Sequence, residues 1–372
     1  MVSTVYFTDT RAAVKEVSEW YQPQLSAVKR LENLVERSGI LDSVEKGEIV
    51  ALKVHFGERG TTRQLRSVFM RKLAMMVSER GGDPFFTETC GLGMTRATHF
   101  ATGRIEVAEE NGYTHQTLQA PIIIADGLRG FDGVRVEVDG IQLKEVYVAR
   151  AIAECDRVIC LAHFKGHQSG SFGGALKGIG VGCTAKPSKY DVHIDGYPEI
   201  DEARCNRCGE CERVCPASAI EDGRIDPGRC IKCGGCLPVC REDAIRVKWV
   251  SPRDLDIRFV DCAKAVMDLL GHDRFAFVNF LLDVTPHCDC HPYSDNPIVA
   301  DIGILASGDI LAIDKASLDL VNEASPLPAS MAEGLAGDKF SGIFPWTDPS
   351  AQIDAAERLG LGEREYELVR VG

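Results

Sequence analysis

Residues 205–215 read CNRCGECERVC and residues 230–240 read CIKCGGCLPVC, two copies of C-x2-C-x2-C-x3-C. This pair constrains the fold more than any other feature of the chain. Runs so tight leave no room for a strand between ligands, and three thiolates at that spacing wrap one face of a 4Fe-4S cube while the fourth reaches a second cube. The spacing assigns Cys205, Cys208, Cys211 and Cys240 to cluster one, and Cys230, Cys233, Cys236 and Cys215 to cluster two. The copies agree beyond their cysteines at a spacing of 25, pairing Arg204 with Arg229, Val214 with Val239, and Ala219-Ile220 with Ala244-Ile245. Two zinc knuckles are the competing reading, which the swapped fourth ligand disfavours.

The duplicated unit resembles the bacterial dicluster ferredoxins, with Arg241 standing where that motif usually has proline. Removing the proline loosens one turn without removing a ligand, and the added cation raises the potential expected of that cluster. Fifteen cysteines in 372 residues fit this reading, since in a reducing compartment such a count signals metal or redox chemistry before disulfides. The opening MVSTVYFTDT has neither the basic start nor the apolar stretch of a secretory signal, so a cytoplasmic location is expected. No apolar run approaches the roughly 20 residues that span a bilayer, so no membrane partner is expected. A net charge of -13 argues against nucleic acid as a partner, because backbone binding runs on clustered Lys and Arg.

On either side of the cysteine unit the grammar changes. Strand-like runs (STVYFT, IVALKVHF, PFFTE, PIIIAD, VRVEV, DRVICLAHF) alternate with helical ones at 24–38, 64–80 and 103–111. Beyond Val250 the pattern resumes with a helix at 255–271, FAFVNFLLDV, IVADIGILA, a helix at 313–324 and the strand-like YELVRV. This predicts an α/β fold, a mainly parallel sheet flanked by helices, with strands such as PIIIA buried on both faces. The division expected is one α/β domain, 1–199 plus 248–372, carrying an inserted small α+β ferredoxin-like module at 200–247.

In open α/β sheets ligands collect beyond the carboxyl ends of the strands, and three segments bring chemistry there. In LKVHFGERG the candidate is His55, with Lys53 and Glu58 beside it; a hydrogen-bonded structural histidine competes evenly. In LAHFKGHQSGSFGGALKGIGVGC, His163, Lys165, His167 and Lys177 accompany glycines, of which Gly170, Gly173 and Gly174 are candidates to turn backbone N–H groups toward an anion or a cofactor edge. The segment matches neither the P-loop nor G-x-G-x-x-G. The third is PHCDCHPYSDNP at 286–297, where an extended chain points Cys288 and Cys290 one way and His287, Asp289 and His291 the other. Two cysteines are half a metal site, so they would have to recruit Cys183, His55, His163 or His167. The alternatives are a redox-active thiol pair, the metal being preferred between the two, or two buried small hydrophobes. Cys155, Cys160 and Cys262 read as core.

KVHFGERG, IIIADGLRG, AHFKGH, SFGGALKGIGVGC, both cysteine motifs, CDC and DIGILASGDILAIDKAS together resemble, in order, the domain of unknown function 362 proteins with an inserted ferredoxin unit. The resemblance implies a cytoplasmic iron-sulfur protein of bacteria or archaea, many of them anaerobes, with no assigned reaction. One departure is Ile310 at a position where relatives have proline; Asp309 and Asp314 remain and are read as caps of the helix that follows.

Three functions stay open. The leading one is an oxidoreductase in which two 4Fe-4S clusters relay electrons to a site beside His55, His163, Lys165, His167 and Lys177, with Cys288 and Cys290 nearby. The second is an electron-transfer adaptor serving a separate oxidoreductase, for which a filled, pocketless α/β domain is expected. The third is a metal-dependent hydrolase or isomerase with structural clusters. The phosphate of a flavin fits the glycine segment without a motif that identifies it, and the place for an additional metal is Cys288 and Cys290. The partner is accordingly a redox protein or a small-molecule substrate, and oligomeric state is not legible.

Overall fold

The computed structural model describes residues 2–15 and 20–372. Eight strands form its central sheet: β1 (Ser3–Thr8), β2 (Ile49–Lys53), β3 (Asp83–Glu88), β4 (Ile122–Ile124), β5 (Arg157–His163), β6 (Phe275–Leu281), β7 (Gly303–Ser307) and β8 (Tyr366–Arg370). They lie in the order β8-β1-β7-β6-β5-β2-β3-β4. Only β7 runs against its neighbours; every other pairing is parallel.

The period of two along each strand divides the core. In β5, Val158, Cys160 and Ala162 join one apolar cluster while Ile159 and Leu161 join another, and in β2 Ala51 opposes Val50 and Leu52 in the same way. The helices α1 (Ala27–Ser38), α2 (Ser67–Glu79) and α3 (Ala101–Glu110) contribute to the second cluster. Those on the other face are a short α4 (Ala175–Gly180), α5 (Lys186–His193), α6 (Pro252–Leu270), α7 (Ile310–Glu323) and α8 (Ser350–Arg358). Among the described residues no helix is long and apolar enough to cross a membrane.

Three sequence expectations need correction. PIIIA supplies an edge strand, not one buried on both faces: β4 pairs only with β3, and Ile123 is 42% exposed. VRVEV lies outside the main sheet, in a hairpin of Gly133–Glu137 with Glu145–Ala149. IVADIGILA becomes strand only from Gly303, and Ile298 and Val299 are buried in the core ahead of it, Val299 bridging to Pro326. The helix caps also differ. Asp309 caps α7 through the Leu311 and Ala312 N–H groups, but Asp314, one turn inside α7, accepts from Ala175 and Leu176 at 2.8 Å each and so caps α4 across the interface.

The cysteine segment leaves the sheet domain after α5 and returns to it at α6. Ile194–Ile200 pairs antiparallel with Ile245–Trp249, from Ile194 opposite Trp249 to Ile200 opposite Ile245, so both ends are stapled together. Inside, the 25-residue repeat is carried by the backbone. Arg207 and Lys232 both take left-handed φ (56° and 53°), as do Ser218 and Asp243 (47° each). Ala219 N–H meets Cys215 Sγ at 3.3 Å, and Ala244 N–H meets Cys240 Sγ at 3.2 Å.

Candidate active site

A cavity of about 350 Å³ opens at the carboxyl ends of β2, β3 and β5. Parallel strands end together along one edge, so the residues that follow them face a common crevice. His55, His163, Lys165, His167 and Lys177, drawn from two separate sequence segments, all line it, and Cys290 of the third segment joins them. Lys53 ends β2 and Glu88 ends β3, and both side chains also line the wall.

The charge of this cavity opposes that of the chain. Lys53, Arg96, Arg104, Lys165, Lys177 and Lys189 line it against the carboxylates of Glu58 and Glu88. Burial alone would push Glu88 up, but Arg104, His55, Lys53 and the Phe56 N–H bring its pKa down to about 2. It therefore stays an anion, 3.4 Å from both Arg104 and His55. Lys189 is held by Thr89 Oγ1 at 2.7 Å and by the Thr184 carbonyl; burial lowers its pKa, with Asp126 opposing.

The 286–291 loop turns at the end of β6, so Asp289 parts from His287 and His291, which pack on Tyr293. Asp289 points inward, where its carboxylate meets His163 Nδ1 at 2.9 Å and Lys165 Nζ at 3.1 Å. Burial opposes its ionisation, but Lys165 and His163 hold the carboxyl far below its usual range. On the opposite side Cys288 Sγ receives Lys177 Nζ at 3.0 Å, and Cys288, Cys290 and His167 bring one ligand atom each within 4.8 Å of one another. Of the partners the sequence offered to these cysteines, His167 is thus the one brought close. His287 packs on Tyr293 and Phe344, while His291 stacks on Tyr293. Cys183, Cys155 and Cys262 are buried in the core, and Cys160 is core that also meets the cavity wall.

Among the histidines, geometry separates roles. The Nε2 of His163 meets the Leu282 and Asp283 carbonyls at 3.0 and 3.1 Å, so both ring nitrogens are engaged in holding the 286–291 loop. His167 accepts the Gly170 N–H on Nδ1 at 2.8 Å, and burial with Lys177 nearby keeps the ring neutral, its pKa well below the usual value. His193, which no motif marked, lines the cavity too. Its Nδ1 meets the Lys189 carbonyl at 2.7 Å and must donate, and burial lowers its pKa, so a neutral ring leaves Nε2 as an acceptor. The only sequence signal for Lys189 and His193 is their i, i+4 spacing on α5, which puts them on one face. Glu88 and Arg104 carried no signal beyond Glu88 ending a strand.

The glycine segment is shaped by buried carboxylates. Gly173 and Gly174 line the cavity, but a Cβ on Gly174 would lie 2.3 Å from Asp314 Oδ1, and one on Gly170 would lie 2.6 Å from Asp256 Oδ1. Gly170 does not line the cavity, and the N–H groups of Gly170, Ser171, Ala175 and Leu176 are taken by His167, Asp256 and Asp314. Asp314 is raised to about 6 by burial, Asp256 to about 7.

Cys90 lines the cavity wall, and beyond the sheet the eight cysteines of the repeat surround two small hollows. Cys205, Cys208, Cys211 and Cys240 line one; Cys215, Cys230, Cys233 and Cys236 line the other. Cys208 is exposed, whereas Cys233 and Cys236 are buried. The second hollow also abuts the cavity wall: Tyr190 of α5 lines the hollow while Lys189 and His193 line the cavity, and Leu92 lines the cavity while packing beside Gly234.

Comparison with known proteins places this chain in a family. The model of the family described as Domain of unknown function (DUF362) matches residues 50–319, well over half of the chain, and the chain belongs to that family. A stretch of 49 residues is 41% identical to the coenzyme F420-dependent sulfite reductase of Methanocaldococcus jannaschii, spanning 13% of this chain and 8% of that protein. Among solved structures, the lactate racemase apoprotein of Thermoanaerobacterium thermosaccharolyticum aligns at 11% identity over 68% of this chain and 49% of its own, with a TM-score of 0.34. A Thermotoga maritima protein aligns at 11% identity over 82% and 59%, with a TM-score of 0.36.

Proposed function

Starting from a chain of the DUF362 family, we propose that this protein is an iron-sulfur redox enzyme acting on an anionic small molecule in the cationic cavity. Cys205, Cys208, Cys211 and Cys240 would hold one 4Fe-4S cluster, and Cys215, Cys230, Cys233 and Cys236 the other, within a ferredoxin-like module inserted in the α/β domain. Bound there, the clusters supply electrons one at a time. The observation that carries this reading is α5, which borders the second cysteine quartet through Tyr190 and the cavity through Lys189 and His193.

The chain's own groups do the rest. Six cations facing two carboxylates favour a substrate of negative charge, and partial exclusion of water strengthens each contact. His193 Nε2 is an acceptor able to take or return a proton at the reacting atom, whereas His163, engaged on both nitrogens, positions the loop beneath it. An adaptor for a separate oxidoreductase needs no such cavity, which favours the enzyme over the carrier. The short match to a sulfite reductase supports the redox theme and makes sulfite the first anion to try.

The test is anaerobic. Purified protein should hold about eight irons per chain, and C205S and C230S should each lose one cluster's worth. Photoreduced protein mixed with sulfite and a panel of carboxylate and phosphate anions should be reoxidised by the substrate, seen as recovery of visible absorption. Zinc in place of iron, or turnover that is indifferent to reductant, would sink the proposal and favour a hydrolase or isomerase.

A further inference from the structure

The CDC segment has a chemistry of its own that the cavity's charge alone does not explain. Cys288 is buried at 1% exposure, while Cys290 lies on the cavity wall. The buried sulfur is surrounded by donors, with Lys177 Nζ at 3.0 Å and the Cys290 N–H at 3.4 Å. Its loop is fixed from behind, because Asp289 is clamped by His163 and Lys165 and cannot turn without presenting Cys288 and Cys290 to the other side.

His167 decides between the two readings of this pair. With Nδ1 accepting the Gly170 N–H at 2.8 Å, the proton of a neutral ring sits on Nε2, so neither ring nitrogen has a free lone pair for a metal. A cation bound to Cys288 would also sit beside the Lys177 ammonium. Donors around a sulfur and a second sulfur within reach are what a thiolate needs.

We propose that Cys290 and Cys288 form a redox-active dithiol that exchanges with small anionic disulfides entering the cavity, Cys290 as the attacking sulfur and Cys288 as the resolving one. In the first step the Cys290 thiolate attacks one sulfur of the disulfide; that S–S bond breaks, a mixed disulfide forms and one small thiolate leaves. Cys288, its sulfur 3.0 Å from Lys177 Nζ, then attacks Cys290 Sγ, closing the protein disulfide, giving up its proton and expelling the second small thiolate. Two protein thiols are oxidised by two electrons, one disulfide is reduced to two thiols, and the two protons pass to the departing thiolates. The proposal is independent of the electron supply described above, since the exchange balances without it.

Peptide-resolved mass spectrometry after anaerobic quench with an alkylating agent tests it, using oxidised glutathione as the anionic probe and cystamine as a cationic one. The 288–290 peptide should close to an internal disulfide that resists alkylation and reopens with reductant, with iron content unchanged. Oxidised glutathione should react at least about tenfold faster than cystamine because of the cavity's cations. C288S should stop at a mixed disulfide on Cys290, C290S should not react, and K177M should slow closure about tenfold or more with K177R restoring part of the rate. Three outcomes overturn the proposal: equal reactivity of C290S, no closure in the parent protein, or a peptide that alkylates only after a chelator strips a bound metal, which would assign His167, Cys288 and Cys290 as ligands instead.

Discussion

Replacing Asp289 with asparagine tests whether the loop under the cavity is held by charge. Its carboxylate is 2% exposed and bridges His163 Nδ1 at 2.9 Å and Lys165 Nζ at 3.1 Å. An amide has one acceptor oxygen for two donors and turns an NH2 group toward the other. Lys165 then keeps only the His163 carbonyl, at 3.0 Å. Breaking a buried pair by removing one partner costs about 3–5 kcal/mol. An unfolding entropy of about 2.1 cal/mol/K per residue gives this chain about 0.8 kcal/mol/K, so a loss near 4 kcal/mol lowers Tm by about 5 °C. Because the folded pKa of Asp289 is depressed, its contribution is fully present above the unfolded value near 4 and is lost only as pH falls below it. The deficit should therefore be constant from pH 5.5 to pH 8 in thermal unfolding followed by circular dichroism at a fixed scan rate. A drop under 1 °C, or one that vanishes at pH 8, would refute the reasoning.

Two further perturbations follow from buried carboxylates. G174A inserts a Cβ 2.3 Å from Asp314 Oδ1, so it should lower stability by about 1–3 kcal/mol in denaturant unfolding, whereas G209A, where nothing lies within 4 Å, should cost only the strain of its left-handed backbone. Asp256 is raised to about 7 by burial; since the folded chain then binds a proton the unfolded chain releases, stability should fall as pH rises from about 4 to 7. D256N should flatten that slope, and an unchanged pH profile in the variant would mean the carboxylate is better solvated than its surroundings imply.

Much of the site could be read from the chain because it is local to strand ends. His55, His163, Lys165, His167 and Lys177 follow β2 and β5 within a few residues, or along the glycine segment, and parallel strands deliver such positions to one edge. The cysteine repeat likewise shows its grouping, because two-residue gaps hold three cysteines of one copy at each hollow while the three-residue gap sends the fourth to the other. What escaped depends on pairings across the fold. Asp314 looks like a cap for its own helix and instead serves α4, which only the packing of two helices reveals. Arg104 comes from a helix whose sequence suggests an ordinary surface, and Lys189 and His193 share a face that has meaning only once α5 is laid beside the cavity. PIIIA misled for a related reason: apolarity reports on burial against neighbours, and an edge strand packed by α3 carries the same composition as a central one.

The repeated left-handed residues of the cysteine segment bear on how the protein is assembled. Arg207, Ser218, Lys232 and Asp243 each hold a positive φ that side chains disfavour by about 1–2 kcal/mol, yet the apolar residues fully buried around them are few, chiefly Ile220 and Ile245. So small a core does not offset several such turns, and the sheet domain on the other side of the Ile194–Trp249 staple has no need of help. On the iron-sulfur reading proposed above, maturation divides in two: the sheet forms on its own apolar core, while the segment waits for the inorganic group, and iron supply sets when the molecule is complete.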